Sequence, residues 1–458
     1  MIKKKLLSAS LVGVMGVLAL TGCGDKDDSG NGNAGAKVNT TADATKGKVY
    51  FLNFKPEIEE AWKTVIADFT AETGIEVKCI TAASGTYEQT LKSEVAKKEA
   101  PTLFQINGPV GYASWKNYCA DLSGTDLYGW LSDKSMAISE GSGVYGIPYV
   151  VEGYGIIYNN AIMDKYFASA NKTTSYTSMD EVNNFEALKA VTEDMQAMKD
   201  ELGIEGVFAS TSFSAGEDWR WQTHLANMPI YYELKDKGVS DLETIDFSYA
   251  ENFKNVFDLY INNSVTEKTM LGTKTVEDSM AEFALGKCAM VQNGNWAWSQ
   301  ISGVEGNAVN ADDVKFLPIY TGVEGEENQG ICAGTENFWA VNSKASAEDQ
   351  AATVKFMEWL FNSEKGKNHC TNTLGFITPF NTFGADETPT DPLAKEVIRW
   401  MNNGTSQVSW NFTIFPSQTF KDNFGAELLK YCEGTDDWDT VVSNTKDNWA
   451  TEKAAIAE

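Results

Sequence analysis

The sequence predicts an α/β protein of largely parallel, doubly wound sheets flanked by helices. Two observations carry that prediction. From Lys48 onward, short apolar runs alternate with amphipathic stretches, the rhythm of strand–helix–strand units whose crossovers lay helices on both faces of a sheet. The 458 residues are 43% hydrophobic and 12% aromatic, core enough for two or three domains and unlike the aromatic-poor composition of disordered chains. The first strand is Lys48 to Phe54. A helix follows from Pro56 to Thr73, with Ile58, Trp62, Val65, Ile66 and Phe69 at helical spacing; Pro56 suits a first helical turn and Gly74 a helix end. Residues 75–80 alternate as a second strand, 87–98 form a helix and 102–106 a third strand. Further along, the pattern predicts helices over 183–199, 249–261 and 276–285 and strands over 206–209 and 288–292. The C-terminal part reads as mostly helical, including 347–361 and the chain after Asp436. Open α/β sheets bind ligands at the carboxyl ends of their strands. Asn53 and Phe54 after the first strand, and Asn107 after the third, are therefore candidate site residues.

Charge and rare residues exclude several functions. With 37 Lys+Arg against 64 Asp+Glu the net charge is −27, which argues against nucleic acid or anionic lipid as the main partner. There are two histidines, His224 and His369, too few for a zinc site or a catalytic scheme built on several imidazoles. Residues 141–146 match G-x-G-x-x-G, but an extended apolar run with Pro148 follows where a dinucleotide fingerprint needs a helix. No P-loop, H-E-x-x-H or nucleophile elbow is present, and nothing calls for a cofactor or a metal. Asp25, Asp27 and Gly30 start like a calcium loop, yet the twelfth position is Ala36, not the glutamate such a loop requires.

The N-terminus carries an export pattern: a basic Met1–Lys5, an apolar Leu6–Leu20 that is short for the ~20 residues of a membrane span, then Leu20-Thr21-Gly22-Cys23. The last four residues resemble the lipobox of bacterial lipoprotein signal peptides. The resemblance implies a signal peptide over 1–22, a diacylglyceryl anchor on Cys23 that tethers the protein to the cell membrane, and an extracytoplasmic location on the bacterial cell surface. Residues 23–46, rich in Gly, Asn, Asp, Ser and Thr, read as a flexible tether. Cys79, Cys119, Cys288, Cys332, Cys370 and Cys432 allow 15 pairings. No C-x-x-C occurs, and both disulfides and free buried thiols remain open.

Three blocks resemble extracellular solute-binding proteins of family 1, the sugar-binding partners of ABC importers, and maltose-binding proteins in particular. They are Tyr145–Pro148 with Val151–Asn159, Phe283–Met290 with Asn293–Trp298, and Val314–Pro318 through Phe356–Leu360. The resemblance implies a two-lobed periplasmic-binding-protein-like fold, each lobe a mostly parallel sheet flanked by helices, hinged by crossover segments. The first lobe would comprise 47–151 and 320–376, the second 152–319 and 377–458, with crossings near Glu152, Leu317–Tyr320 and Leu374–Pro379. It also implies a monomeric receptor that binds a carbohydrate between the lobes, without catalysis, and delivers it to an ABC permease.

Sugars present hydroxyl rims and apolar faces, so their clefts need flat aromatic platforms beside carboxylates and amides. Trp296 stands where maltose-binding relatives stack a sugar, and Trp298 is assigned to packing. The cluster Glu217-Asp218-Trp219-Arg220-Trp221 puts Glu217, Arg220 and Trp221 on one helical face, and the resemblance places an aromatic ligand contact in this region, which Trp219 or Trp221 would fill beside Glu217 and Arg220. Glu152 matches a position where relatives hold sugar hydroxyls with a carboxylate. Glu336, Asn337 and Trp339 are expected at the cleft edge, and Trp410 with Phe412 either as a further platform or in the core. Two other readings stay open. One is a receptor for a polyol phosphate, amino sugar or peptide, although a phosphate would want more than Arg220 in the cleft. The other is an exported glycoside hydrolase using Glu217 and Glu152.

Overall fold

The computed structural model describes residues 35–83 and 85–457; the signal peptide, Cys23 and the tether up to residue 34 lie outside them. In chain order the strands are β1 (Val49–Asn53), β2 (Val77–Thr81), β3 (Leu103–Asn107), β4 (Ile138–Glu140), β5 (Gly143–Pro148), β6 (Glu152–Asn159), β7 (Met290–Gly294), β8 (Val314–Leu317), β9 (Gln329–Gly334), β10 (Asn337–Val341) and β11 (Ser406–Val408). They form two sheets, one in the order β2-β1-β3-β10-β5-β4, the other β11-β9-β6-β7 with β8 also on β6.

β1 is buried along its whole length, which is why it reads as a continuous apolar run. The helix Glu59–Thr73 packs on it through Trp62, Val65 and Phe69, after a single 3₁₀ turn at Pro56–Ile58. Phe51 meets Trp62 edge-on at 5.0 Å, and Gly74 ends the helix at φ 72°, a conformation open to glycine at little cost. β1 pairs parallel with β2 and β3, whereas β10 enters antiparallel between β3 and β5. In the second sheet β6 runs antiparallel to β7, β8 and β9. Most strands of each sheet thus point the same way, as expected, but a reversed strand stands in the middle of both. Trp339, expected at the cleft edge, is fully buried in the first lobe and stacks on Tyr149 at 4.3 Å.

The glycine-rich segment at 141–146 is a turn with Gly141 at φ 60° between β4 and β5, and no helix opens there. Residues 206–209 form no strand; only Phe208 makes isolated bridges, to Ser264 and Met290. The tether is shorter than expected, because from Lys37 the chain is docked. Val38 donates its N–H to the Asp121 carbonyl at 2.9 Å, Asn39 N–H donates to Gln350 Oε1 at 2.9 Å, and Lys48 N–H to Asp349 Oδ1 at 2.8 Å. The change of sheet expected near Leu317–Tyr320 comes later: β9 still pairs with β6, β10 with β3, so the chain passes between the sheets at Thr335–Glu336. The third passage is likewise later than Leu374–Pro379, since Phe380 still pairs with Leu131 and the helix Pro392–Asn402 buries Leu393 and Val397 under the second sheet. The six cysteines beyond Cys23 are free thiols, five of them buried, and burial pushes Cys119, Cys332 and Cys432 up to about 12. Among the described residues no helix is long and apolar enough to cross a membrane.

Candidate functional site

The site lies where the two sheets face each other across the passages between them. At the end of β1 the Asn53 carboxamide builds a turn: Oδ1 accepts from the Lys55 N–H at 3.0 Å and Nδ2 donates to the Lys55 carbonyl at 2.8 Å. That turn aims Lys55 at Glu152, the first residue of β6, whose Oε1 accepts from Nζ at 2.6 Å. Glu152 Oε2 accepts from Asn337 Nδ2 at 2.7 Å. Lys55 and Glu152 are only 5% and 4% exposed, and a desolvated pair of this kind persists because its charges are hydrogen-bonded. The carboxylate of Glu152 and the amides of Asn53 and Asn337, expected to face a ligand, hold protein groups in this structure. Lys55 was not foreseen. Glu57 lies 3.5 Å from the same ammonium, and burial pushes its carboxyl above the usual range.

The opposite wall is a nest of aromatic rings around His224. Its imidazole stacks on Tyr154 at 4.4 Å and has Trp219 at 5.1 Å, Phe412 at 5.3 Å, Trp296 at 5.4 Å and Trp410 at 6.2 Å. Trp296 folds back over the end of β7 because Gly294 has no side chain; a Cβ there would overlap the indole. His224 is delivered by a π-helical turn, Arg220–Leu225, a form that recurs at functional sites. Among the described residues His224 Nδ1, Trp296 Nε1 and Trp410 Nε1 have no hydrogen-bond partner. Burial holds the imidazole well below its ordinary pKa, with Arg220, Lys421 and Lys55 adding to the effect, so it is neutral at physiological pH.

The five-residue cluster divides. Trp219 and Trp296 are half-buried and 6.0 Å apart. Trp221 instead points into the core against Tyr260 and Phe257. Arg220, 1% exposed, lies behind Trp219 with its Cζ 4.7 Å from the ring and donates to Ser212; burial lowers its pKa to about 9. Glu217 caps a helix, accepting from the Val276 N–H at 3.1 Å. Both oxygens of Glu152 and Oε2 of Glu217 accept from protein donors. Trp410, 7% exposed, joins the nest. Phe54 leans edge-on against Tyr87 at 5.2 Å, and Asn107 Oδ1 accepts from Gln105 Nε2 at 2.7 Å. Glu336 is half-buried, its carboxyl raised by burial and flanked by Lys421, Glu152 and Lys55.

A cavity of about 280 Å³ opens beside Trp296. Lys55, Glu57 and residues 371–376 wall it from the first-sheet side, and the helix Ala297–Ser302 with Asp391 from the second. Asp391 caps the helix Pro392–Asn402 by accepting from the Ala394 N–H at 2.8 Å, and burial raises its carboxyl to about 6. Elsewhere the lobes touch directly: a Cβ on Gly85 would come within 2.9 Å of the Gly216 carbonyl, and one on Gly108 within 2.8 Å of Thr413. Both glycines have positive φ, so the close approach and the backbone each demand glycine.

The family described as bacterial extracellular solute-binding protein matches the chain over residues 64–396. Among solved structures, a chitin oligosaccharide-binding protein superposes with a TM-score of 0.68 at 16% identity, covering 89% of this chain and 99% of that one. The binding protein RafE in complex with raffinose gives a TM-score of 0.66 at 15% identity over 89% and 99%. The GacH receptor of Streptomyces glaucescens, solved unliganded and with acarbose, gives 0.66 at 15% identity over 89% and 98%. These likenesses show the two-lobed fold. No curated protein matches the chain.

Proposed function

The chain belongs to the bacterial extracellular solute-binding proteins, whose members bind and do not transform their ligands, and from that premise we propose that it is an extracytoplasmic receptor for a carbohydrate. The ligand is an oligosaccharide held between the lobes, and the loaded receptor delivers it to an ABC import permease. The observation that supports this reading is the nest of Trp219, Trp296 and Trp410 around a neutral His224. Indole faces bury the C–H faces of pyranoses at little entropic cost, while unpaired ring nitrogens and the adjoining hydroxyls and carboxylates answer the hydroxyl rim. The similar structures include proteins described with raffinose and acarbose. The segments passing between the sheets serve as hinges, so that ligand shifts the lobes toward closure. Cys23 carries a lipid that keeps the receptor at the membrane.

A thermal-shift screen against a sugar panel tests the reading, because a ligand that binds only the native state raises the melting temperature. At ligand concentrations of ~100 Kd the stabilisation is ~2.7 kcal/mol, several degrees for a protein of this size. A panel of neutral mono- to tetrasaccharides without any shift, beside a shift with a peptide or polyol phosphate, would move the assignment to that solute. For the anchor, Cys23→Ser should leave the protein unprocessed or released from membranes; unchanged membrane partitioning rejects lipidation.

A further inference from the structure

We propose that Lys421 locks the closed receptor: the second lobe carries it to two carboxylates of the first, Glu88 and Glu336, and it governs affinity through closure rather than by touching the solute. The inference rests on the hinged-receptor reading above, not on the class of solute. Along one rim the lobes already touch, Gly85 lying against Gly216 and Gly108 against Thr413. Both contacts flank the same pair of elements. The helix Tyr87–Val95 starts just after Gly85, and Trp115 of the helix Gly108–Trp115 donates Nε1 to Glu88 at 2.8 Å. On the other lobe, Gly425 of the helix Gln418–Glu433 lies so close to Asp218 that a Cβ would overlap its carboxylate, and Asp218 follows Gly216 by two residues. Lys421 stands one turn before Gly425 on the same face of that helix. Phe420, Phe424 and Leu428 bury the helix in the second-lobe core. The helix is thus a rigid arm that presents Lys421 at the seam.

The charges at this seam are unbalanced. On the first-lobe side Glu88, Glu336, Glu57 and Glu152 stand beside Lys55, whose ammonium Glu152 already holds at 2.6 Å. The second lobe adds Lys421, whose charged neighbours are Glu336, Glu88 and Asp422. Asp422 is exposed on the same helix, and His224, which also faces the ammonium, is neutral. Lys421, Glu88 and Glu336 are each half-buried, so part of their water is already gone, and burial disfavours the charged form of all three. Among the described residues Lys421 nevertheless closes no ion pair. Charges already desolvated gain Coulomb energy on approach at little further solvation cost. A small rotation at Thr335–Glu336, the passage that itself carries Glu336, completes the pairing.

Small-angle scattering of the unliganded protein tests the lock, once melting curves have confirmed that each variant folds. Lys421→Glu sets a third carboxylate between the other two and should open the lobes, read as a radius of gyration larger than that of the wild type. Lys421→Arg should keep the wild-type value. Should Lys421→Glu fail to fold, Lys421→Met gives a smaller shift of the same sign, since it removes attraction without adding repulsion. Raffinose, maltotetraose and chitotetraose then probe capture by stopped-flow tryptophan fluorescence. With a probe that binds, Lys421→Glu should raise the dissociation rate at least ~10-fold and leave the association rate within ~3-fold, because association precedes closure. In the double variant Lys421→Met/Glu88→Gln the losses should not add, as they would for independent residues. An unchanged radius of gyration in Lys421→Glu overturns the lock. So does an expansion seen only with sugar present, which would make Lys421 a ligand contact, and additive losses overturn the pairing with Glu88. If no sugar of the panel binds, the carbohydrate reading falls alone, and the unliganded comparison still decides the lock.

Discussion

Trp296 is the residue on which nest and cavity meet, and its replacement separates a binding role from a packing role. Trp296→Ala should reduce sugar affinity by at least ~30-fold, or ~2 kcal/mol, the scale of a desolvated aromatic anchor, with fold retained because the ring is only half-buried. Calorimetry beside denaturant melts decides it: a stability loss of ~3–5 kcal/mol with wild-type affinity would make it a core indole. His224→Phe keeps a ring in the nest but removes the unpaired Nδ1. Stability should stay equal or rise by up to ~1 kcal/mol, since a buried unsatisfied polar atom is lost, while affinity falls about 10-fold if that nitrogen meets a sugar hydroxyl. Unchanged affinity would assign the imidazole to packing alone. Trp296 and Trp219 were expected near the cleft from the resemblance to maltose-binding proteins and Trp410 from its polar loop, and the fold gathers all three around His224. Trp219 and Trp221 sit two apart on a helical turn, nearly opposite each other, so only one can face the cleft, and spacing does not say which. The partner of Glu152 was illegible for another reason: Lys55 lies 97 residues away, and only the tertiary fold joins them.

At the scale of elements, the strongly periodic segments were readable and those set by tertiary contact were not. Phe253, Val256, Phe257 and Tyr260 mark the buried stripe of the helix Ala250–Asn262, and the helix Val276–Ala284 opens on a capping box of Thr275 and Asp278. Residues 206–209 look like a strand because they are buried and apolar, yet their neighbours offer only bridges at Phe208. The segment from Lys37 to Lys48 has the composition of a linker, and composition does not reveal that its backbone finds partners on Asp121, Gln350 and Asp349. Gly47 is the point of closest approach: a Cβ there would run into the Glu348 carbonyl. Gly47→Ala should therefore cost about 1–3 kcal/mol, as overpacking does, read as a lower denaturant midpoint. An unchanged midpoint would mean that the strap is undocked in solution. Docking matters for the proposed anchor, since it would make the first lobe the fixed one and leave the second free to swing.

Over the whole molecule, the acidic balance of −27 makes stability depend on which carboxyls are held away from their solution behaviour. Asp218, in the loop before the nest, and Asp391, at the cavity, are both raised by burial to about 6. The sign follows from proton linkage. Between about pH 4 and pH 6 the unfolded chain has released these protons while the folded chain still holds them, so the unfolded state binds fewer and stability falls as pH rises. Above about pH 7, beyond the folded values, the penalty is complete and constant. Carboxyls lowered by hydrogen bonds act in the reverse sense: Asp121, which accepts from the Val144 and Ser123 N–H groups, contributes stability that is lost as pH falls toward its folded value. The raw stability curve mixes the two sets, so the test is a difference. In the double variant Asp218→Asn/Asp391→Asn the amide still caps the helix at 392, and neither site can ionise. The variant should match the wild type near pH 4 and exceed it progressively through pH 6, by up to about 3 kcal/mol per site, then run parallel from about pH 7 to pH 8. Denaturant melts across that range supply the curve. A difference that stays flat from pH 4 to pH 8 would show that both carboxyls are solvated in the folded protein and that neither is held up by burial.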